Sequence, residues 1–419
     1  MIMNVRVCGS LVQAGERPGT YAVVSIAAPH AEPTDTRGPV NVAFVLDRSG
    51  SMAGEKIELA RRAVDHALRL LRSTDRFSLV AYDSEIDVVV ESTFATPEAS
   101  AHARARLASI EARASTDLCG GWLAGCEQVA RVIEGEGLGR CLLLTDGLAN
   151  HGVTDRDEIV THARELRRRG VVTSTFGVGA DFDERLLQQM ADAGSGHFYF
   201  IERAVQIPDL FASELGEALE VVASGVTLTI ETPEPLRVEV LNQLEAVREP
   251  GLVTVQLGDL VSGQELSVIT RFDFPNGQEG TAIAATFTIQ AAGGQVPAQS
   301  VDQVWTFASH AACDAQPRNQ AVDEAVGEIY AARARAEAVE LNRRGDFAAA
   351  ERTLRRVSER IRSYAGQSMA LGQVVEDLLQ AAEVIAAPMS PLSIKSMHFA
   401  ASSSLRNRDT EGKARRRSK

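Results

Sequence analysis

The stretch VAFVLDRSGSM, residues 42–52, decides how this chain reads. Val42 to Leu46 is an unbroken apolar run too short for a helix, which predicts a central strand covered on both faces. Asp47 stands where that strand ends. A turn of small residues follows, with Ser49 and Ser51 around Gly50, and then Ile57, Ala60, Val64, Ala67, Leu68 and Leu71 recur on one helical face. A second stretch, CLLLTDG at 141–147, again runs an apolar strand into an aspartate, Asp146, and Thr116 lies between the two. In an open parallel sheet, ligands bind outside the carboxyl ends of the strands where strand order reverses, so both aspartates are candidates for that rim. Their oxygens suit a hard divalent cation, magnesium, manganese or calcium, and do not choose among the three.

Asp47-x-Ser49-x-Ser51, Thr116 in the ASTD segment and Asp146 in LLLTDG together resemble the metal-ion-dependent adhesion site of von Willebrand factor type A domains, in order and in strand context. The resemblance covers about residues 40–222. It implies a doubly wound α/β sheet with a metal ion on its upper rim, Ser49 and Ser51 ligating directly, and Thr116 and the two aspartates ligating directly or through water. It also implies a protein partner whose aspartate or glutamate completes the metal shell. Around the metal, Arg48, Met52, Asp117, Leu148 and Asn150 are the expected partner-binding rim. One departure is local: many relatives have Gly-Gly-Thr-Asn where this chain has Ser115 before Thr116 and Asp117 after it.

Other readings of the same residues compete. A strand-terminal aspartate and nearby serines can cap the following helix, since Ser and Asp accept hydrogen bonds from the free amides of its first turn. An enzyme is not expected. There is no Gly-x-Ser-x-Gly elbow and no phosphate-binding loop, and the position two after Asp47, where phosphoryl-transfer enzymes want a second acid, is Ser49. A metal-dependent hydrolase is thus the weakest alternative. His151 reads as a rim residue beside the metal, and His197 as a packing residue on a strand remote from it. Gly177-x-Gly179 reads as a turn. The alternative to metal-dependent capture is a scaffold whose metal only stabilises, or, from the resemblance, an adaptor for an AAA+ ATPase of the MoxR type.

The 419 residues, 45% hydrophobic, suffice for two or three domains. No stretch approaches the roughly 20 apolar residues of a membrane span and the N-terminus has no leader pattern, so a cytoplasmic location is expected. The five cysteines, Cys8, Cys119, Cys126, Cys141 and Cys313, are odd in number and scattered, against a disulfide framework or a structural zinc site. A net charge of −13 disfavours nucleic acid as a partner.

Along the chain, residues 1–38 carry two strands that are too few to fold alone, because an isolated hairpin is marginal. Residues 39–222 alternate strands and helices, the α/β domain, with FSLVAY and IDVVV as an edge hairpin. Residues 223–310 return to short strands separated by turn signals, which predicts the remainder of a β-sandwich into which the α/β domain is inserted. Residues 318–387 read as a small helical domain, a hairpin plus one helix broken at Gly345-Asp346. Residues 388–419, with Ser402-Ser403-Ser404 and a run of arginines and lysines, read as a disordered basic tail.

Overall fold

In the computed structural model, residues 1–15, 19–31, 38–113, 115–133, 138–292 and 296–416 are described. The chain folds as two compact units, one formed by Met1–Ala31 together with Val221–Lys419 and the other by Glu32–Glu220. It starts with three strands, β1 (Ile2–Val7), β2 (Leu11–Gln13) and β3 (Gly19–Ala27).

The second unit begins at β4 (Val40–Asp47), every residue of which is buried, as a strand covered on both faces requires. After it come α1 (Glu55–Leu70), β5 (Arg76–Tyr82), β6 (Ile86–Phe94), α2 (Pro97–Ala108), α3 (Leu118–Ala130), β7 (Leu138–Thr145), α4 (Arg156–Arg168), β8 (Val171–Val178), α5 (Glu184–Ala193), β9 (Ser195–Ile201) and α6 (Ile207–Leu219). They form a six-stranded sheet in the order β6-β5-β4-β7-β8-β9. All pairs are parallel except β5–β6, the antiparallel edge hairpin. Chain order runs outward from β4 in both directions, so β4 and β7 flank the switch point where such sheets bind ligands. One face packs α1 and α6 around Phe44, Phe176 and Phe211, whose ring centroids lie 4.4–6.4 Å apart. On α3 the glycines have a packing reason. A Cβ at Gly121 would lie 2.2 Å from the Tyr82 ring and one at Gly125 2.2 Å from Val45, so the helix lies directly on β4 and β5.

The first unit resumes with β10 (Val221–Glu231), β11 (Arg237–Val240), β12 (Ala246–Glu249), β13 (Leu252–Val261), β14 (Glu265–Asp273), β15 (Ala282–Gln290) and β16 (Gln299–Ala308). Two sheets result, β1-β3-β14-β11 and β12-β13-β10-β15-β16-β2, so the N-terminal strands do complete sheets built mainly from later sequence. Both sheets feed a shared core, with Val24, Ile26, Val268 and Phe272 from the first against Leu228, Ile230, Phe287 and Trp305 from the second. The helices follow as α7 (His310–Ala315), α8 (Gln320–Arg343), α9 (Phe347–Ala365), α10 (Met369–Ile385) and α11 (Pro391–Leu405). Gly345, at φ +79°, ends one helix and the Asp346 side chain caps the next by accepting from the Ala349 amide. Val322, Val326 and Ile329 of α8 pack with Val23 and Ile269, so the helices and the first sheet share apolar contacts within this unit.

The expected disordered tail is corrected here. Residues 391–405 are helix α11, started by a Ser390 cap and Pro391, and Phe399, Ala401, Ser402, Ser403 and Leu405 on it are buried. Beyond it, Arg408 bridges to Ala414 and Arg416 to Gln264, while Arg408 itself is buried. The three serines suggested coil, yet their carbonyls accept the Arg406 amide and close the last helical turn. Residues 417–419 of that expected tail lie outside the described residues. Among the described residues, no helix is long and apolar enough to cross a membrane.

Candidate metal centre

Strand β4 delivers Asp47 to the carboxyl edge of the sheet, and the chain leaves in a tight loop because the next amides turn back onto it. The Ser49 amide donates to Asp47 Oδ1 at 2.7 Å, and the Met52 and Ala53 amides donate to the carbonyls of Ser49 and Gly50. That turn places the Ser49 and Ser51 hydroxyls 3.1 Å apart. Next door, β7 ends at Thr145, whose hydroxyl donates to Asp47 Oδ2 at 2.6 Å, and Asp146 follows and accepts from Ser51 Oγ at 2.6 Å. Two adjacent parallel strands therefore carry the two carboxylates, and the serine loop spans between them.

Thr116 comes from a different loop. Its amide donates to Asn150 Oδ1 at 3.0 Å, and the Asn150 amide donates to its carbonyl at 3.4 Å, which ties the Thr116 loop to the one after Asp146. Gly147 shows where these side chains converge. A Cβ built there would lie 3.3 Å from Thr116 Oγ1, 3.9 Å from Asp47 Oδ2 and 4.0 Å from Ser51 Oγ. Asp47, Ser49, Thr116 and Asp146 are buried and Ser51 is exposed, so the cluster opens to solvent on the Ser51 side.

The donor set fits a hard cation. Every converging atom is a carboxylate or hydroxyl oxygen. Neighbouring ligands of an octahedral ion with bonds of about 2.0–2.1 Å lie about 2.9 Å apart, and the serine pair stands at 3.1 Å. Burial pushes the Asp47 carboxyl up to about 6, against the hydrogen bonds from Thr145 and Ser49, with the Asp146 charge adding to the rise. A buried pair of carboxylates is costly unless positive charge is supplied. Lys56 supplies some: its ammonium is ion-paired with Asp146 Oδ2 and donates to the Ser51 carbonyl at 3.3 Å.

The expected rim divides. Leu148 is 52% exposed and Asn150 is exposed. Asp117 caps α3 by accepting from the Gly120 amide at 2.9 Å, with the exposed His151 ring 3.7 Å from its other oxygen. Two assignments are corrected. Met52 is 0% exposed, an apolar side chain sealing the core beneath the loop, and Arg48 is 8% exposed, its guanidinium held by Asp83 at 3.1 Å and Asp87 at 2.6 Å. Neither presents a surface to a partner. Sequence reasoning missed Thr145 and Lys56. The threonine was readable as the residue before Asp146; no spacing rule marked the lysine.

A second polar cluster lies away from this rim. Glu214 of α6 accepts from Ser174 Oγ, from Tyr199 OH at 2.7 Å and pairs with His197 Nδ1 at 2.9 Å, with Glu217 beside it. His197 is thus part of a network pinning α6 to β8 and β9, beyond the packing role read from sequence. Three partners already engage the Glu214 oxygens, which satisfies that buried carboxylate.

Residues 41–213 match the family model of the von Willebrand factor type A domain. Among curated proteins, the chain is similar to the uncharacterized protein YfbK of Escherichia coli strain K12, 27% identical over 249 residues, 58% of this chain and 43% of that one. It is also similar to the human inter-alpha-trypsin inhibitor heavy chain H3, 28% identical over 187 residues, 42% of this chain and 21% of that one. The matches therefore span less than half the length of these two relatives. Among solved structures, a von Willebrand factor type A protein from Catenulispora acidiphila superposes with a TM-score of 0.71 at 19% identity, covering 91% of this chain and 89% of that one. The ArnB paralog VWA2 from Sulfolobus acidocaldarius superposes at 0.60 with 16% identity, covering 96% and 97%. At these identities the likeness is one of fold.

Proposed function

We propose that the von Willebrand factor type A domain of residues 41–213 is a protein-binding module that holds one divalent cation, magnesium or alternatively manganese or calcium, and captures an acidic side chain of a partner through it. The observation that supports this best is the convergence of Thr116, Asp47 and Ser51 oxygens around Gly147. Ser49, Ser51 and Thr116 would hold the ion with the two aspartates directly or through water. The ion would supply a Lewis-acidic position facing solvent, which a partner carboxylate fills.

The chain's own residues set this up. Thr145 fixes one Asp47 oxygen and the Ser49 amide the other, so the carboxylate cannot rotate. The Ser51 hydroxyl donates its one proton to Asp146, so it faces Ser49 as an acceptor and has a second lone pair to offer the cation. Asn150 positions Thr116, and Leu148 and Asn150 stand as the surface that reads the partner around its acid. No nucleophile is needed for this work, so the module acts by binding and not by catalysis, in the cytoplasm.

The test is a pull-down from native lysate with wild type and Asp47→Ala, each with magnesium or with EDTA. A protein retained only by wild type with magnesium is the expected result. The same proteins in all four conditions would overturn the reading in favour of a scaffold whose other surfaces bind, and a MoxR-type ATPase among them would name an adaptor.

A further inference from the structure

Lys56 is the second residue of α1, and its stem reaches back across the serine loop. The ammonium pairs with Asp146 Oδ2 and donates to the Ser51 carbonyl at 3.3 Å, with 30% of the side chain exposed, while Asp146 is wholly buried. Ser51 engages the other Asp146 oxygen. The cluster proposed to hold the cation thus already includes a tethered positive charge, attached to one of its two carboxylates.

We propose that Lys56 is a built-in counter-cation that sets the charge of the centre, weakening its hold on the metal and making the loaded centre prefer an anionic ligand. The inference rests on the divalent-cation reading above. Asp47 and Asp146 carry two formal negative charges and Lys56 one positive, so a divalent ion leaves the loaded centre at net +1. An incoming carboxylate then brings it to neutrality. Without the ammonium, the loaded centre is already neutral, and a carboxylate would leave a net negative charge among buried groups. Both aspartates are out of solvent, where charges are screened far less than on an open surface. The ammonium is held at the centre by Asp146 and the Ser51 carbonyl, both residues of the chain itself, so this charge is supplied without a partner.

The experiment uses the full chain with manganese as the probe. Free manganese is followed by electron paramagnetic resonance for wild type, Lys56→Gln, Lys56→Arg and Asp47→Ala, with circular dichroism melts to verify folding. Acetate is then titrated into the manganese-loaded proteins as a probe of the anionic position. Lys56→Gln is expected to bind manganese roughly tenfold more tightly and acetate more weakly, and Lys56→Arg to stay within about twofold of wild type. Equal or weaker manganese binding by Lys56→Gln, or unchanged acetate binding, overturns the role of Lys56. Manganese binding that is abolished by Asp47→Ala but indifferent to residue 56 would do so while leaving the cation reading intact. No manganese binding by wild type and Lys56→Gln alike would overturn both.

Discussion

Gly147 is the residue at which the proposed chemistry is most easily tested without touching a ligand. An added methyl there would sit 3.3 Å from Thr116 Oγ1 and 3.9 Å from Asp47 Oδ2. The methyl would crowd the space a cation needs without removing any oxygen. Gly147→Ala is therefore expected to weaken manganese binding at least about tenfold while leaving the thermal midpoint within a few degrees of wild type, read by titration and by melting. A matching loss of both would show a folding defect instead. At this scale much of the centre was legible, because Asp47, Ser49, Ser51 and Asp146 are set by short loops directly following two strands. Met52 and Arg48 were misread for one reason. Sequence placed them at the rim, but whether a rim side chain points outward depends on what lies beneath the loop. Under Met52 lies an apolar core, and beside Arg48 lie the carboxylates of Asp83 and Asp87, from residues far along the chain.

Among the elements, α11 departs most from the sequence reading. Its serine run and flanking basic residues have the composition of a solvated tail, yet Phe399, Ala401 and Leu405 are buried and Lys395 is buried with them. Stability of such a helix comes from packing more than from propensity, which is why composition alone pointed elsewhere. Limited trypsin digestion followed by mass spectrometry checks this. Cleavage after Lys395 and Arg408 is expected to be slow compared with cleavage at exposed sites such as Arg203, whereas a disordered tail would be clipped first. The strands were easier to read. Both faces of β4 are buried, and its apolar run carries no ambiguity of register, while α3 tolerates its glycines because the helix must lie against Tyr82 and Val45.

The whole molecule consists of two units, and only one contains the proposed cation site. A ligand that binds only the folded form stabilises the unit that holds it, by about 2.7 kcal/mol at a hundredfold excess over the dissociation constant. Scanning calorimetry is expected to show two transitions, of which saturating magnesium raises the one belonging to Glu32–Glu220 and leaves the other in place. Asp47→Ala should remove the shift, and a magnesium-independent pair of transitions in wild type would count against the site. The split of the first unit across residues 1–31 and 221–419 follows from strand pairing. Strand β3 pairs with β14 and β2 with β16, so the chain must leave and return to complete both sheets.

By itself the sequence determined the α/β class of the central region, the strand-end placement of both aspartates and the oxygen character of the donor set. Each depends on neighbours within a few residues: apolar runs, turn residues and the side chain at a strand terminus. For Thr116 the sequence offered only a resemblance, and the tertiary structure brought its hydroxyl to Asp47 and Ser51 around Gly147; the structure alone decided that Thr145 fixes Asp47 while Lys56 pairs with Asp146. It alone buried Met52 and Arg48 and folded residues 391–405. These are contacts between segments tens of residues apart, and their geometry is set by how strands order in a sheet and helices pack on it.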